Sequence, residues 1–295
     1  LLQRGNNDQR GHRARDGRKR HCNASTVTLA DVAGATLDLA GSSETIGSLT
    51  GGGATGGNVT LGAGTLTTGT ATSTTYGGVI SGTGGLTKVG TGVFTLTGNN
   101  TYTGLTTVSA GTLQIGSGGT SGSIAGDIID NSLLQFNRSD SLVVNGNVTG
   151  SGRIIQVGAG TTTLNGNNVL SALSGNAVSV NAGTLMMNGG SYRANVNDGK
   201  AIVVTNANTQ LNGVTVMTTD GGGSGSSAST SGAFGVSVSG PATSMTGSNY
   251  GAAGSRLRAS LLVAASKRGI RAAHRSNRQR LGSHKGRAVA NRSTV

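Results

Sequence analysis

Residues 84–113 decide the fold, and they read GGLTKVGTGVFTLTGNNTYTGLTTVSAGTL. Within this stretch, residues 93–97 (VFTLT) alternate apolar and polar side chains, which is typical of a β-strand with one buried face. Glycine and asparagine flank the strand, and both residue types favour tight turns with positive φ. The stretch therefore predicts short strands separated by tight turns.

The same pattern recurs along the chain. Residues 81–100 read SGTGGLTKVGTGVFTLTGNN and residues 149–168 read TGSGRIIQVGAGTTTLNGNN, and ten of these twenty positions are identical. Internal repeats of this kind are typical of solenoids, in which each turn buries its apolar face only against its neighbours. We interpret the 68-residue offset between the two copies as three turns of roughly 22–23 residues, with about ten turns in the chain.

The composition supports an unusual architecture. The chain has 295 residues with 54 Gly, 1 Cys, 0 Trp, 2% aromatic and 11% charged residues. A typical globular domain carries about 25% charged residues. Few aromatic side chains suit a thin core better than a thick one. The predicted fold class is therefore all-β, a parallel β-helix (solenoid).

Charge divides the chain into three segments. The net charge of +13 arises from residues 1–22 (net +5) and 255–295 (net +11), because residues 23–254 carry net −3. We predict a β-helix over 23–254, called the central segment here, between two basic ends that are disordered or translated from another reading frame. Basic ends also fit binding to nucleic acid or to an anionic surface. A Gly/Ser run at 221–232 is predicted to be a flexible loop of the β-helix.

The family resemblance rests on residues 84–113, which are similar to the autotransporter-associated β-strand repeat. The matching elements are Gly85-Leu86-Thr87-Lys88, Gly90, Gly92, Thr95-Leu96, Gly98, Asn100-Thr101-Tyr102, Gly104, Thr106 and Ala110-Gly111-Thr112-Leu113. Leu105 departs from the family, which usually has glycine there. Residues 149–168 are a weaker copy, with Arg153 and Gln156 at the usual Gly and Lys positions.

This resemblance implies a segment of a pertactin-like autotransporter passenger domain, exposed at the cell surface or outer membrane, or secreted, by a Gram-negative bacterium. It implies a right-handed parallel β-helix. It also implies a covalently linked outer-membrane β-barrel in the full-length protein. The chain begins with Leu1 and loses its strand pattern after Ala253, so we expect a fragment whose barrel and export signal lie outside this sequence.

Catalytic chemistry finds little support in the central segment. All four histidines and the cysteine lie in the basic ends, so neither a Ser-His-Asp triad nor a Cys/His zinc site is predicted. Asp127 and Asp130 are the only acids close in sequence, and on a strand they would face opposite sides rather than form a glycosidase pair. No catalytic, cofactor-binding or metal-binding residue is predicted, and no cofactor.

Other polar and aromatic residues are interpreted as structural. We expect Tyr76 and Tyr102 to be packing residues. The pairs Asn99-Asn100 and Asn167-Asn168 are expected to stack in turns.

The predicted function is that of an adhesin, an autoaggregation module or a rigid display stalk, and not that of an enzyme. The expected partners are glycans or proteins on host or neighbouring cells, or a second copy of the chain. No nucleic acid is expected to bind the central segment. Two alternatives stay open: a carbohydrate-active β-helix enzyme, and binding of nucleic acid or an anionic surface through the basic ends.

Overall fold

The computed structural model describes residues 25–194, 202–205, 207–212, 214–218, 229–231, 236–239 and 244–246. The predicted basic ends lie outside these ranges. All regular secondary structure in the described ranges is β-strand. The strands are β1 (Thr26–Leu29), β2 (Thr36–Asp38), β3 (Glu44–Thr45), β4 (Ser48–Gly51), β5 (Asn58–Thr60), β6 (Leu66–Thr68), β7 (Thr74–Tyr76), β8 (Ile80–Ser81), β9 (Leu86–Lys88), β10 (Val93–Leu96), β11 (Thr106–Val108), β12 (Thr112–Ile115), β13 (Ile128–Asp130), β14 (Leu133–Phe136), β15 (Ser141–Val144), β16 (Val148–Gly150), β17 (Arg153–Gln156), β18 (Thr161–Leu164), β19 (Val169–Ala172), β20 (Val178–Val180), β21 (Thr184–Asn188), β22 (Ser191–Ala194), β23 (Ile202–Thr205), β24 (Asn208–Asn212), β25 (Thr215–Thr218), β26 (Ser229–Ser231), β27 (Val236–Ser239) and β28 (Ser244–Thr246).

The strands form long parallel sheets, which confirms the predicted all-β parallel solenoid. Sheet 1 has ten strands in the order β1-β4-β7-β10-β12-β14-β17-β20-β23-β26, and sheet 2 has ten in the order β28-β25-β22-β19-β16-β13-β11-β9-β6-β3. Sheet 3 has five strands, β15-β18-β21-β24-β27, and a three-stranded sheet contains β2-β5-β8. No helix in the described ranges is long and apolar enough to cross a membrane.

Each turn of the solenoid has three sides. The chain passes from sheet 1 to a third side and then to sheet 2 before it returns to sheet 1. The third side is the three-stranded sheet in the first turns, a single bridge from Asn99 to Ser123 in the middle, and sheet 3 from β15 onward. The number of residues in a turn varies. The turn that leads from Val93 to its partner Thr112, for example, is shorter than the turn from Val178 to Ile202.

Apolar side chains stack in columns inside the solenoid. In β12, for example, Leu113 and Ile115 are buried and Gln114 between them faces outward, as strand alternation requires. One inward column crosses six consecutive strands of sheet 1, at Phe94, Leu113, Leu134, Ile154, Val178 and Ile202, all at most 2% exposed. Full burial of each such side chain contributes about 1.5–3 kcal/mol.

The prediction that the 68-residue offset equals three turns is wrong. Three turns along sheet 1 lead from Val93 through Thr112 and Leu133 to Arg153, the first residue of β17. The repeat instead aligns Val93 with Thr161, the first residue of β18, which lies in sheet 3. The two copies of the repeat are therefore three turns plus one side apart. The reason is that the repeat specifies a corner with its two flanking strands. This unit forms the corner from sheet 2 to sheet 1 in the first copy and the corner from sheet 1 to sheet 3 in the second.

The predicted loop at 221–232 is corrected at its end. Residues 221–228 and 232 lie outside the described ranges, but residues 229–231 form β26, which pairs with β23 in parallel. Serine and threonine are as compatible with a strand as with a loop, so backbone pairing to the preceding turn decides the outcome here.

Candidate interaction surface

The outward side of sheet 2 carries an ordered column of β-branched side chains. Successive strands place one such residue at the same register position, about 4.8 Å from the next. The column contains Thr45, Thr67, Thr87, Thr107, Ile129, Thr149 and Val169. These residues are half-buried, except Val169, which is 48% exposed. The column offers a strip of hydroxyl and methyl groups that crosses seven turns.

Sheet 1 presents a second column with different polar groups. Thr75, Thr95, Gln114 and Gln135 follow one another at a single register position, and Thr95 among them is covered, with 7% exposed. The Nε2 of Gln135 donates to the Oε1 of Gln114 at 2.8 Å, so the glutamines form a ladder along the solenoid. Their amides are only partly satisfied by each other, and their remaining donors and acceptors face outward.

A third column lies where sheet 3 ends, and it consists of asparagines. The Nδ2 of Asn165 donates to the Oδ1 of Asn145 at 3.0 Å, and the Nδ2 of Asn188 donates to the Oδ1 of Asn165 at 2.7 Å. Side-chain amides that stack in this way stabilise in-register parallel strands. All three sides of the solenoid thus present uncharged hydrogen-bonding groups at repeating intervals.

Two exposed acids, Asp31 and Asp127, are held in corners by backbone N–H groups of the next turn. The Oδ1 of Asp31 accepts from the N–H groups of Thr55 and Gly56 in the next turn, at 2.8 and 2.9 Å. The Oδ1 of Asp127 accepts from the N–H of Asn147, also in the next turn, at 2.8 Å. These acids therefore connect turns and leave the columns uncharged.

Asp127 and Asp130 do not converge on one site. Asp127 is exposed at a corner, whereas Asp130 is fully buried. The Oδ1 of Asp130 accepts from the N–H of Ser132 at 3.0 Å, and its Oδ2 has no hydrogen-bond partner. Burial raises the pKa of Asp130 to about 7, although backbone N–H groups and the positive charge of Arg153 oppose the rise. The structure thus places the two carboxyls apart, as strand geometry predicts.

Lys88 fills a corner rather than a surface. It is 1% exposed, and its Nζ donates to the carbonyl oxygens of Val89 at 2.7 Å, Gly90 at 2.8 Å and Ala110 at 3.1 Å. Burial lowers the pKa of its ammonium group to about 8. The side chain satisfies three carbonyls of two stacked corners, a role that the sequence analysis did not assign to it.

Gln156 occupies the equivalent place in the second copy of the repeat. Its Nε2 donates to the carbonyl oxygens of Gly158 at 2.9 Å and Gly160 at 3.3 Å, and its Oε1 accepts from the hydroxyl of Thr162 at 2.8 Å. Gln156 is fully buried. A long polar residue at the end of a strand, followed by Val-Gly-x-Gly, is the sequence signal shared by both corners.

Buried asparagines connect the turns at matching corners. The Oδ1 of Asn100 accepts from the N–H of Ile80 at 2.9 Å, and the Oδ1 of Asn168 accepts from the N–H of Val148 at 2.8 Å. In each case Nδ2 donates to the carbonyl two residues earlier. Both asparagines lie at corners, and their side-chain amides bond to backbone groups; stacking of the two asparagine pairs stays a prediction.

The two tyrosines named from the sequence are packing residues. Tyr76 and Tyr102 are fully buried. The hydroxyl of Tyr76 donates to the carbonyl oxygen of Gly57 at 2.6 Å, and that of Tyr102 lies 2.7 Å from the Oγ1 of Thr106. Burial raises the pKa of both phenols above the ordinary value. Neither ring is available to a ligand in this arrangement.

Arg138 fixes the corner between sheet 1 and the third side of the solenoid. Its Nε and Nη2 donate to the two carboxylate oxygens of Asp140 at 2.8 and 2.7 Å. The same guanidinium donates to the carbonyl oxygens of Thr120 and Gly122 at 2.6 and 2.7 Å. The hydrogen bonds from Arg138 lower the pKa of the Asp140 carboxyl. The sequence did not predict this role, because nothing in the residues around Arg138 links it to Thr120 and Gly122 in the preceding turn.

The surface chemistry of the described ranges is that of repeated, shallow hydrogen bonding. No group of three or more His, Cys, Asp or Glu residues there could hold a metal ion. That the chain carries no catalytic, cofactor-binding or metal-binding residue stays a prediction. What the geometry does provide is three parallel columns, each repeating at the spacing of the turns.

Comparison with known proteins identifies two repeats within this geometry. The passenger-associated-transport-repeat family matches residues 86–115 and 154–187. These segments begin in β9 of sheet 2 and near the start of β17 of sheet 1, so the family pattern shows the same one-side shift as the internal repeat.

A curated relative points the same way. The adhesin BmaC autotransporter of Brucella suis biovar 1 (strain 1330) is 49% identical over 69 residues, which are 23% of this chain and 2% of that adhesin. The match thus covers only a small part of the relative's length. No solved structure matches. The two repeats and the adhesin relative show that this part of the chain is similar to the passenger of an autotransporter, a class of surface-exposed or outer-membrane-associated secreted proteins of Gram-negative bacteria.

Proposed function

We propose that this segment acts as part of an adhesin, with the outward columns of the solenoid as its contact surface. The observation that carries the proposal is the uninterrupted column of β-branched residues on sheet 2, from Thr45 to Val169. The adhesin named among the relatives supports the same role. We also infer a non-enzymatic role, since the closest acid pair of the central segment diverges in the fold.

The mechanism follows from repetition rather than from a deep pocket. The sheet 2 column offers one weak contact per turn, from a threonine hydroxyl or from the methyl groups of Ile129 and Val169, and a ligand with its own repeat can contact several turns at once. Many copies on one cell multiply such contacts, so that avidity exceeds the affinity of any single contact by orders of magnitude. Uncharged columns also keep this binding insensitive to salt, unlike a charged surface.

The partners fitting this surface are glycans or proteins on a host or neighbouring cell, or a second copy of the chain. In the full-length protein we propose a covalently linked outer-membrane β-barrel that holds the solenoid at the cell. The same segment then also serves as a rigid stalk, because parallel turns stack into an extended rod.

The full chain can test this on beads coated at increasing density. We expect bead–bead aggregation, or adhesion to glycan- or cell-coated surfaces, to rise steeply with density. The variant Thr67→Glu/Thr107→Glu places charges in the column and should abolish the binding. The matched control Thr91→Glu/Ala159→Glu adds the same charge at exposed corners and should bind normally.

Two outcomes would separate adhesion from the other roles. Equal binding by the column variant and the control would remove sheet 2 from the contact surface. No binding at any density would leave the stalk role alone. Circular dichroism of both variants checks that the fold is retained. Binding that weakens steeply with salt and vanishes when residues 1–22 and 255–295 are deleted would instead support the nucleic-acid or anionic-surface alternative.

A further inference from the structure

Three of the four Asn-Gly dipeptides of the chain lie in one column, called the Asn-Gly column here. They occur at the same corner of three successive turns, at the end of sheet 3. They are Asn145-Gly146, Asn165-Gly166 and Asn188-Gly189, and hydrogen bonds between their side chains join all three. The glycine of the fourth, Asn212-Gly213, lies outside the described ranges.

Packing explains why glycine follows these asparagines. A Cβ on Gly146 would lie 2.3 Å from the carbonyl oxygen of Gly126, and a Cβ on Gly166 would lie 2.3 Å from the carbonyl oxygen of Gly146. Gly189 instead has a φ of +85°, which disfavours any other residue. The solenoid therefore requires glycine at this corner, and each asparagine is left beside a residue with no side chain to shield its backbone nitrogen.

We propose that this Asn-Gly column is a site of covalent modification by deamidation, with water as the co-reactant. The backbone nitrogen of the glycine attacks the side-chain Cγ of the asparagine, forming a C–N bond. The C–Nδ2 bond breaks, and ammonia leaves with the proton of the glycine N–H. Water then hydrolyses one of the two imide C–N bonds, which yields aspartate or isoaspartate without oxidation or reduction.

The ladder sets the order of reaction within the folded chain. Asn165 must release two ladder bonds before its Cγ can turn toward Gly166, whereas Asn145 must release one. Both asparagines are exposed to water. Asn145 therefore reacts faster than Asn165 in the native protein, and the two rates converge once the chain is unfolded.

Each reaction changes the surface of sheet 3. A carboxylate cannot donate, so reaction at Asn165 or Asn188 removes the bond that its Nδ2 makes to the preceding turn. Two products in adjacent turns place like charges about 4.8 Å apart, which is unfavourable in a parallel sheet. The column thus converts from a neutral ladder to an acidic edge as the displayed protein ages.

The test follows the full chain in mildly alkaline buffer made with heavy-oxygen water, with and without urea. Peptide mapping by mass spectrometry then counts the solvent oxygen incorporated at each asparagine. Asn99 and Asn167 are the controls, because both are exposed and followed by asparagine. We expect several-fold more label in the three peptides of the Asn-Gly column than in the controls, with Asn145 ahead of Asn165 only in native conditions.

A variant isolates the effect of the ladder. Asn145→Ala removes one of the two bonds that restrain Asn165 and should speed labelling of Asn165 several-fold in the native chain. Asn181→Ala, at an exposed corner, is the control and should leave that rate unchanged. Label in the Asn-Gly peptides no greater than in the controls would overturn the modification site. An unchanged Asn165 rate in Asn145→Ala would overturn the ladder's role.

Discussion

Residues 84–100 and 152–168 are two copies of one pattern on different sides of the same solenoid. In both, a buried polar side chain fills the first corner, Lys88 in one and Gln156 in the other. In both, a buried asparagine bonds to the N–H of a residue in the preceding turn. Yet the strand between these features belongs to sheet 1 in the first copy and to sheet 3 in the second. The pattern specifies local structure and leaves the choice of side to the accumulated length of the turns.

The two copies share their inward-facing residues and differ in the neighbours of their outward-facing residues. Leu96 and Leu164 occupy equivalent inward positions and both are fully buried. The outward residues Thr95 and Thr163 meet different neighbours, since Thr95 follows Thr75 in sheet 1 and Thr163 pairs with Met186 in sheet 3. Shared inward residues maintain the fold, whereas the surface offered to a partner changes from side to side.

The largest expected loss of stability comes from truncation of the two inward leucines, Leu96 and Leu164. Leu96→Ala and Leu164→Ala each delete a fully buried side chain, and each should lower the free energy of unfolding by about 2–5 kcal/mol. Urea denaturation followed by circular dichroism measures both. Leu105→Ala is the control, because this leucine is 43% exposed and should change stability by less than about 0.5 kcal/mol. A large difference between Leu96→Ala and Leu164→Ala would break the equivalence of the two copies.

Replacement of Asp130 is expected to have the next largest effect on stability. Unlike the hydrogen-bonded side chains at the corners of both copies, Asp130 is buried with one carboxyl oxygen that has no hydrogen-bond partner. Its pKa is raised from 3.8 to about 7 by burial, so the folded state binds the proton more tightly than the unfolded state. The contribution of Asp130 to stability is therefore fully present below about pH 4, is lost as pH rises to about 7, and does not change above that value, with a slope of up to about 1.4 kcal/mol per pH unit.

Asp130→Asn removes the ionisable group at nearly constant volume. The free energy of unfolding, measured by urea denaturation from pH 4.5 to 8, should lose this pH-dependent decline in the variant. Asp38→Asn, at the exposed end of β2, is the control and should keep the decline. Parallel curves for Asp130→Asn and the unmodified chain would show that Asp130 does not titrate in this window.

Replacement of Lys88, the hydrogen-bond donor at the first corner, is expected to have an intermediate effect on stability. Lys88→Met leaves three carbonyls without a donor and should cost about 1–3 kcal/mol. Lys88→Gln introduces the donor that the second copy uses and should cost less, as measured by urea denaturation. Equal losses for the methionine and glutamine variants would contradict the view that the corner needs only a buried donor.

The sequence predicts the strands better than it predicts their assembly. Alternation at residues 93–97 and glycines at the corners suffice for the parallel solenoid, because each is a local signal. The side on which a strand lies depends on the lengths of the turns, and these differ between the turn that follows Val93 and the longer one that follows Val178. A fixed repeat length cannot be derived from two copies that lie on different sides.

The candidate surface was only partly accessible to prediction. The corner asparagines and the packed tyrosines follow from local chemistry and were expected. The bonds of Arg138 to Thr120 and Gly122 were not, since they depend on how far the 116–123 segment extends from its corner. Columns such as Thr67, Thr87 and Thr107 become visible only when the register between turns is known.

The smallest expected effect sharpens the contrast between inside and outside. Thr163 is partly exposed, and its hydroxyl lies 3.7 Å from the Sδ of Met186. Thr163→Val keeps the β-branched shape that suits a strand and removes only this weak contact, so stability should change by less than about 0.5 kcal/mol. The buried Thr162→Val, one residue earlier, removes the bond to the Oε1 of Gln156 and should cost about 1–3 kcal/mol in the same urea titration. Because the two variants make the same chemical change on opposite sides of β18, equal losses would mean that the inward face does not control the fold.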